Sequence, residues 1–413
     1  MQGINLTPET LKATKDLGFT EWTDIQLKSM PLIQQGKDVL GQSHTGSGKT
    51  AAFGIPIIEK TLHIKKIQAL IIAPTRELSE QIKMELYKFS KYKKLNMLAI
   101  YGGVSINPQI FDLRNADIVV GTPGRLLDHM QRGTIDLKNV RTVVLDEADR
   151  MLDMGFIDDI RKILSHLPKE RQMLLFSATM PSEIQDIVKR FMKNPERVKA
   201  KSYVDEGKLA QIYYTVEASD KFSLLMHLLK NEKGSLTLIF CSTRHMVDML
   251  SRNLYSKGIF AQSLHGGLTQ QKRSKALELF HNNKTSVLVA SDVAARGLDV
   301  KNVSHVINYD IPKTSKEYIH RIGRTARAGM DGKVISLVSR PDYDNFRNVL
   351  SDRSLQIQKI ELPKFEKVAI AHIQQQRDGP RRGNPRFSGH GRGGSSSGAP
   401  PRRNFAQRHG FGR

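Results

Sequence analysis

The 413-residue sequence has one cysteine, Cys241, and one tryptophan, Trp22. A lone thiol cannot close an internal disulfide, so the fold must hold without covalent cross-links, which suits a reducing cytoplasm. No apolar run is long enough to span a bilayer, and the N-terminus lacks the basic-then-apolar pattern of an export signal. Acidic residues are scarce relative to basic ones: 41 Asp and Glu against 64 Lys and Arg give a net charge of +23. An excess of that size points to a polyanionic partner, nucleic acid ahead of a membrane surface. Hydrophobic residues make up 39% of the chain, enough for packed cores over most of its length. The chain exceeds what one core usually serves, so two domains plus extras are expected.

Aliphatic residues almost vanish after Arg377. From there to Arg413 nine arginines face a single acid, Asp378, which accounts for +8 of the net charge. The segment is rich in Gly, Ser and Pro, cannot bury a core, and is expected to be disordered. Phe387, Phe405 and Phe411 lie among the arginines. Aromatic residues beside Arg in a flexible chain suit sequence-tolerant contact with single strands, through phosphate neutralisation and base stacking.

Before this tail, apolar runs and helical stretches alternate twice over. In the first half, β-rich runs fall at Ala69–Ala73, Met97–Tyr101, Asp117–Val120, Thr142–Leu145 and Met173–Phe176. In the second they recur at Gln211–Val216, Thr237–Phe240, Ser286–Ala290, His305–Tyr309 and Val334–Val338. Between them lie helical stretches such as Glu77–Phe89, Glu183–Phe191, Phe222–Leu229, Arg244–Leu254 and Gln270–Phe280. Strands that are continuously apolar are covered on both faces, which implies parallel α/β sheets. The polar stretch Lys201–Leu209 reads as a hinge between two such blocks.

Ser43-His44-Thr45-Gly46-Ser47-Gly48-Lys49-Thr50 follows a short apolar run, Asp38-Val39-Leu40-Gly41, and opens a helix at Ala51. Strand, glycine-rich turn, Lys-Thr and helix is the P-loop arrangement. Thr45, Gly46, Ser47 and Gly48 would turn backbone N–H groups onto phosphate oxygens, at a helix N-terminus that adds partial positive charge. Lys49 would reach the β- and γ-phosphates and Thr50 would ligate Mg²⁺. The strict pattern has Gly where this chain has Ser43. Downstream, Val143-Val144-Leu145 runs into Asp146-Glu147-Ala148-Asp149. A carboxylate pair at a strand end below a P-loop is the Walker-B position, with Asp146 holding Mg²⁺ through water and Glu147 polarising the attacking water. His44 and His320 have no metal-ligand spacing to another His or Cys.

Asp146 to Asp149 spells DEAD. Around it stand Pro74-Thr75-Arg76-Glu77-Leu78, Gly102-Gly103, Thr122-Pro123-Gly124-Arg125 and Ser177-Ala178-Thr179. Further on come Gln270-Gln271-Lys272-Arg273, the stretch from Ser291 to Asp299, and His320-Arg321-Ile322-Gly323-Arg324-Thr325-Ala326-Arg327. From about Leu6 to Leu362 the chain closely resembles the DEAD-box family of ATP-dependent RNA helicases. The resemblance implies two tandem RecA-like domains with parallel sheets, over residues 1–205 and 206–365, ahead of a disordered basic tail over 366–413.

The resemblance also assigns roles. Gln26 would hydrogen-bond the adenine edge and Phe19 would stack on its face, with Trp22 standing where the family usually has Pro. In the second domain Asp299 would contact the ribose. Arg324 and Arg327 would reach the γ-phosphate as fingers from the opposite domain, worth ~10³–10⁵ in rate. Lys49, Asp146, Glu147, Arg324 and Arg327 are thus the implied catalytic set, with ATP and Mg²⁺ as cofactors. RNA would meet Pro74, Thr75, Arg76, Gly103, Thr122, Gly124 and Arg125 in the first domain. In the second it would meet Thr243, Arg244, Gly266, Gln270, Arg273 and Ser291. Hydroxyls, arginines and exposed backbone N–H groups recognise phosphate and sugar, so little sequence preference is expected. Asp149, Ser177, Thr179 and His320 would couple the nucleotide site to domain closure.

An ATPase site divided between two domains is complete only when they close. RNA spanning the same two domains would then bind cooperatively with ATP, giving RNA-stimulated hydrolysis and local separation of short duplexes. Two other readings fit the same motifs: a DNA-directed motor, and an ATP-gated RNA clamp with little unwinding.

Overall fold

The computed structural model describes residues 4–43, 46–200, 209–231, 236–295, 303–325 and 331–370. The expected hinge lies outside these residues except for Leu209, and so does the whole Arg-rich tail from Arg377.

Two seven-stranded sheets, all parallel, organise the described chain. The first contains β1 (Val39–Gln42), β2 (Ala69–Ile72), β3 (Met97–Ile100), β4 (Ile118–Gly121), β5 (Thr142–Leu145), β6 (Gln172–Ser177) and β7 (Glu196–Lys199). The second contains β8 (Leu209–Thr215), β9 (Thr237–Cys241), β10 (Ala261–Leu264), β11 (Val287–Ser291), β12 (His305–Asn308), β13 (Gly332–Val338) and β14 (Gln358–Lys359). Their orders are β3-β4-β2-β5-β6-β1-β7 and β10-β11-β9-β12-β13-β8-β14. Lowering each number in the second order by seven returns the first, so the two sheets share one topology. This is the tandem RecA-like α/β architecture.

The central strands form because they are β-branched or aliphatic on both faces. β2, β4, β5 and β6 are buried along their whole length. Helices cover those faces through apolar residues at helical spacing. The helix Arg76–Phe89 turns Leu78, Ile82, Leu86 and Phe89 inward, and Thr75 caps it by accepting the Leu78 N–H at 3.3 Å. Phe53 and Phe176 meet with ring centroids 5.5 Å apart inside the first core. Truncating either to Ala would cost about 3–5 kcal/mol.

Three strands, β7, β10 and β14, were not foreseen from the apolar runs. All lie at sheet edges. β7 reads Glu-Arg-Val-Lys with Val198 alone buried, and β14 is an exposed Gln-Lys pair. An edge strand needs an apolar residue only where it meets the core. Among the described residues no helix is long and apolar enough to cross a membrane.

Candidate functional site

In parallel α/β sheets, chemistry collects beyond the carboxyl ends of the strands. At the end of β1 the chain turns through Gly46 and Gly48, with φ of +85° and +90°, and enters the helix Lys49–Lys60. A Cβ on Gly48 would lie 2.4 Å from the Gln26 side-chain nitrogen. Gln26 Nε2 donates to the Gly48 carbonyl at 3.1 Å, Gln26 Oε1 accepts the Thr23 N–H at 2.9 Å, and Thr23 Oγ1 donates to the Ser47 carbonyl at 2.8 Å. The segment carrying Gln26 is thereby tied to the phosphate loop. Phe19 is half-buried against Trp22 and Phe89, with ring centroids 5.6 and 5.9 Å away.

Ser43, which occupies the usual glycine position, is buried, and its Oγ accepts a hydrogen bond from Ser47 Oγ at 3.1 Å. The side chain joins the loop's own bonding instead of obstructing it. Lys49 is buried and its Nζ donates to the Ser43 carbonyl at 3.3 Å. Thr50 lies in the first turn of the same helix. Thr45 lies outside the described residues, as do Asp299 and Arg327.

β5 delivers Asp146 and Glu147 to the same end of the sheet. Asp146 is buried, and burial, only partly opposed by Lys49, raises its pKa to about 6. Burial also disfavours the Glu147 carboxylate, but the positive charges of Arg150, Lys49 and Arg324 more than offset it and hold the pKa at about 2. Glu147 has left-handed backbone, φ +52°, and its Oε2 pairs with Arg150 Nη1 at 2.9 Å. Arg150 was not singled out in the sequence, where it reads as an ordinary basic residue after a helix start.

The acidic motif is laced to the end of β6. Asp149 N–H donates to Ser177 Oγ at 3.1 Å, while Thr179 donates to Asp149 Oδ2 through both its N–H and its hydroxyl at 2.9 Å. The second lobe reaches the same place. Lys49, Glu147, Asp149, Arg150 and Ala178 from the first lobe line one small pocket with His320 and Arg324 from the second.

A divalent cation would find a donor set with the right chemistry here: the Thr50 hydroxyl, and in Asp146 a buried carboxylate whose ionised form burial disfavours. Two oxygens suit a cation that keeps most of its water and is shared with phosphates. No group of three or more His, Cys, Asp or Glu able to hold a metal by itself occurs among the described residues.

A second set of predicted residues lines strand ends elsewhere on both lobes. Thr75 and Thr243 each cap a helix directly after the second strand of their sheet, and Arg76 and Arg244 follow them. The Arg76 guanidinium lies against Gly103, where a Cβ would approach within 2.2 Å, and Gly103 has φ +79°. Arg244 packs beside Gly266 in the same manner, 3.4 Å from where a Cβ would be. Pro74 is buried at the turn after β2, Gly124 is exposed, Thr122 is half-buried and Ser291 closes β11. Gln270 and Arg273 both engage Glu77 of the first lobe, at 3.3 and 2.9 Å. Lys316 and Asp153 form a further bridge between the lobes at 3.1 Å.

Residues 23–187 match the family model described as DEAD/DEAH box helicase, and residues 220–329 match the helicase conserved C-terminal domain. The chain is 46% identical over 371 residues to the DEAD-box ATP-dependent RNA helicase CshA of Geobacillus kaustophilus, covering 89% of this chain and 79% of that protein. Among solved structures it is similar to S. cerevisiae Dbp5 bound to RNA and ADP BeF3, with 32% identity, a TM-score of 0.78, and 86% and 94% of the two chains covered. It is also similar to Mss116p bound to ssRNA and AMP-PNP, with 30% identity, a TM-score of 0.76, and 87% and 78% covered.

Proposed function

This chain belongs to the DEAD/DEAH box helicase family, and from that premise we infer an ATP-dependent RNA helicase whose ATP site and RNA face are each shared between the two lobes. One observation carries the reading of the site: Lys49 and Glu147 of one lobe and Arg324 of the other line a single pocket. ATP held there touches both lobes and favours the closed arrangement. RNA lying across the Thr-Arg helix starts of both lobes favours the same arrangement, so the two ligands bind cooperatively.

Each residue has a chemical part. The P-loop N–H groups and Lys49 neutralise phosphate oxygens, and Gln26 with Phe19 reads the base. Thr50 and Asp146 would hold Mg²⁺, which supplies charge neutralisation at the β- and γ-phosphates. Glu147, ionised at neutral pH, accepts hydrogen bonding from the attacking water and orients it in line. Arg324, with Arg327, meets the charge that develops on the transferring group. Asp299 contacts the ribose. Asp149, Ser177, Thr179 and His320 relay loss of the γ-phosphate to the lobe interface, and the clamp reopens. The RNA-facing hydroxyls, arginines and glycines touch phosphate and sugar, so the enzyme is indifferent to most sequence. Residues 1–205 and 206–365 act as the two lobes, with residues 366–370, expected in the disordered tail, held instead on the second lobe through the Val368 N–H bond to Ser223 Oγ at 2.9 Å, and the basic tail after them adds non-specific RNA affinity. The single buried thiol, Cys241, is compatible with a cytoplasmic location.

The test is hydrolysis with and without RNA, paired with RNA retention by Glu147→Gln. The variant should hold RNA far longer than wild type in the presence of ATP while hydrolysing it about 10²–10³-fold more slowly. Equal release rates and normal hydrolysis would remove Glu147 from the reaction. RNA and DNA of equal length, compared as activators, separate an RNA enzyme from a DNA-directed one.

A further inference from the structure

Arg125, expected at the RNA, is not a free side chain. Its Nη1 donates to Gln109 Oε1 at 3.0 Å and its Nη2 donates to the Val104 carbonyl at 3.0 Å. One N–H on each terminal nitrogen remains, in a fixed fork. Gln109 is buried and cannot be reversed without loss, because its Nε2 donates to the Tyr101 carbonyl at 3.2 Å. The same Oε1 that receives Arg125 also meets His129 Nε2 at 3.2 Å.

His129 has no solvent exposure, and its Nδ1 faces Thr134 Oγ1 at 2.8 Å. Burial, together with the charge of Arg125, lowers its pKa and keeps the ring neutral. A neutral ring carries one proton. Gln109 Oε1 can only accept, so that proton lies on Nε2, and Nδ1 accepts from the Thr134 hydroxyl, whose single proton it shares with the more distant His129 carbonyl at 3.2 Å. The bonding therefore runs one way, from Thr134 through His129 to Gln109, and ends on the acceptor that holds Arg125. Tyr101 and Val104, which supply the two backbone acceptors, flank Gly102 and Gly103, and Arg76 lies on Gly103.

We propose that Gln109 and His129 are positioning residues for RNA: they set the Arg125 fork and tie it to the Gly102-Gly103 turn, so the first lobe presents a preformed phosphate-binding surface. The proposal rests on Arg125 meeting RNA, as inferred above. Neither residue touches RNA. Their effect is on how much order must be gained when RNA binds.

The experiment is a double-mutant cycle in the full-length protein, read as the RNA concentration that gives half-maximal ATPase stimulation. Gln109→Met keeps the packing volume but removes the acceptor. It should raise that concentration about five- to ten-fold, with the rate at saturating RNA within about two-fold of wild type. Thr134→Val, at the far end of the relay, should shift it in the same direction by about two-fold and serves if Gln109→Met folds poorly. In an Arg125→Ala background both shifts should disappear, which a merely structural role would not produce. If Arg125→Ala raises the RNA requirement and Gln109→Met and Thr134→Val do not, the positioning role is wrong and the RNA face stands. Shifts that persist undiminished beside Arg125→Ala overturn it equally. If Arg125→Ala itself is silent, the placement of RNA at Arg125 fails, and the positioning role with it.

Discussion

The two lobes have the same sheet and have put its corresponding corner to opposite uses. After β1 the first lobe places a lysine, Lys49, whose Nζ donates to the Ser43 carbonyl at 3.3 Å. After β8, the corresponding strand, the second lobe also places a buried lysine, Lys221. Its Nζ pairs with Asp342 at 2.7 Å and donates to the Tyr309 carbonyl at 2.8 Å. Asp342 is held in turn by the Ser339 N–H and hydroxyl, at 3.0 and 2.6 Å. One lysine is kept for an anion that arrives, and the other is satisfied by an anion built in. On the proposed reading, a catalytic lobe and a supporting lobe thus differ less in fold than in whether the strand-end lysine is hydrogen-bonded to a carboxylate of its own lobe.

Five measurements would sharpen or break that contrast. Lys49→Ala should abolish ATP binding and lower hydrolysis by about a thousandfold or more, with little change in the melting of either lobe. Lys221→Met should do the reverse. It leaves Asp342 buried and unpaired, costing about 3–5 kcal/mol in denaturant unfolding, while ATP affinity is unchanged. If Lys221→Met instead weakens ATP binding as Lys49→Ala does, the division of labour is wrong.

Asp146→Asn is expected to stabilise the nucleotide-free protein. The folded-state pKa of about 6 lies above the ordinary carboxylate value, so the ionised form that prevails above it is disfavoured by the fold. Wild-type stability should therefore fall as pH rises from about 4 to about 6 and level off above, and the variant should gain about 2–3 kcal/mol at pH 7.5 that shrinks below pH 6 and disappears only near pH 4. Its hydrolysis should be lost. Asp342 has the opposite sign. Burial works to raise its pKa, but Lys221 and Ser339 hold it below the ordinary value. Its contribution is present above about pH 4 and is lost as pH falls through the folded-state value, so the stability gap between wild type and Asp342→Asn should narrow in acid. The smallest effect belongs to Ser43→Gly, which restores the usual loop residue but deletes the bond from Ser47. A loss of about 1 kcal/mol or less, with the ATP KM little changed, is expected.

Much of this was legible in the sequence because the relevant signals are local. Continuous aliphatic runs mark β2, β4, β5 and β6, and the residues that end strands, such as Asp146 and Ser177, sit beside them. The P-loop and the acidic motif could be read from spacing alone. What escaped notice depends on distant residues meeting. Gln109 and His129 are twenty positions apart and are joined only where a side chain of the helix Ile106–Leu113 meets one of the helix Pro123–Gln131 at the Arg125 fork. Glu77 is separated from Arg273 by most of both lobes, so nothing in either motif announces their ion pair. Lys221 and Asp342 were equally silent, one reading as a helix start and the other as a turn acid. The edge strands β7 and β14 carry too few apolar residues to register at all.

The Gln26 clasp has a consequence for base choice. Both ends of this amide are engaged, the nitrogen on the Gly48 carbonyl and the oxygen on the Thr23 N–H. One Nε2 hydrogen and one Oε1 lone pair remain, so a purine edge would meet an amide whose orientation the turn has already fixed. A base with the wrong edge would set donor against donor there. On the proposed reading, the side chain that meets the base is also bonded to the loop that meets the phosphates.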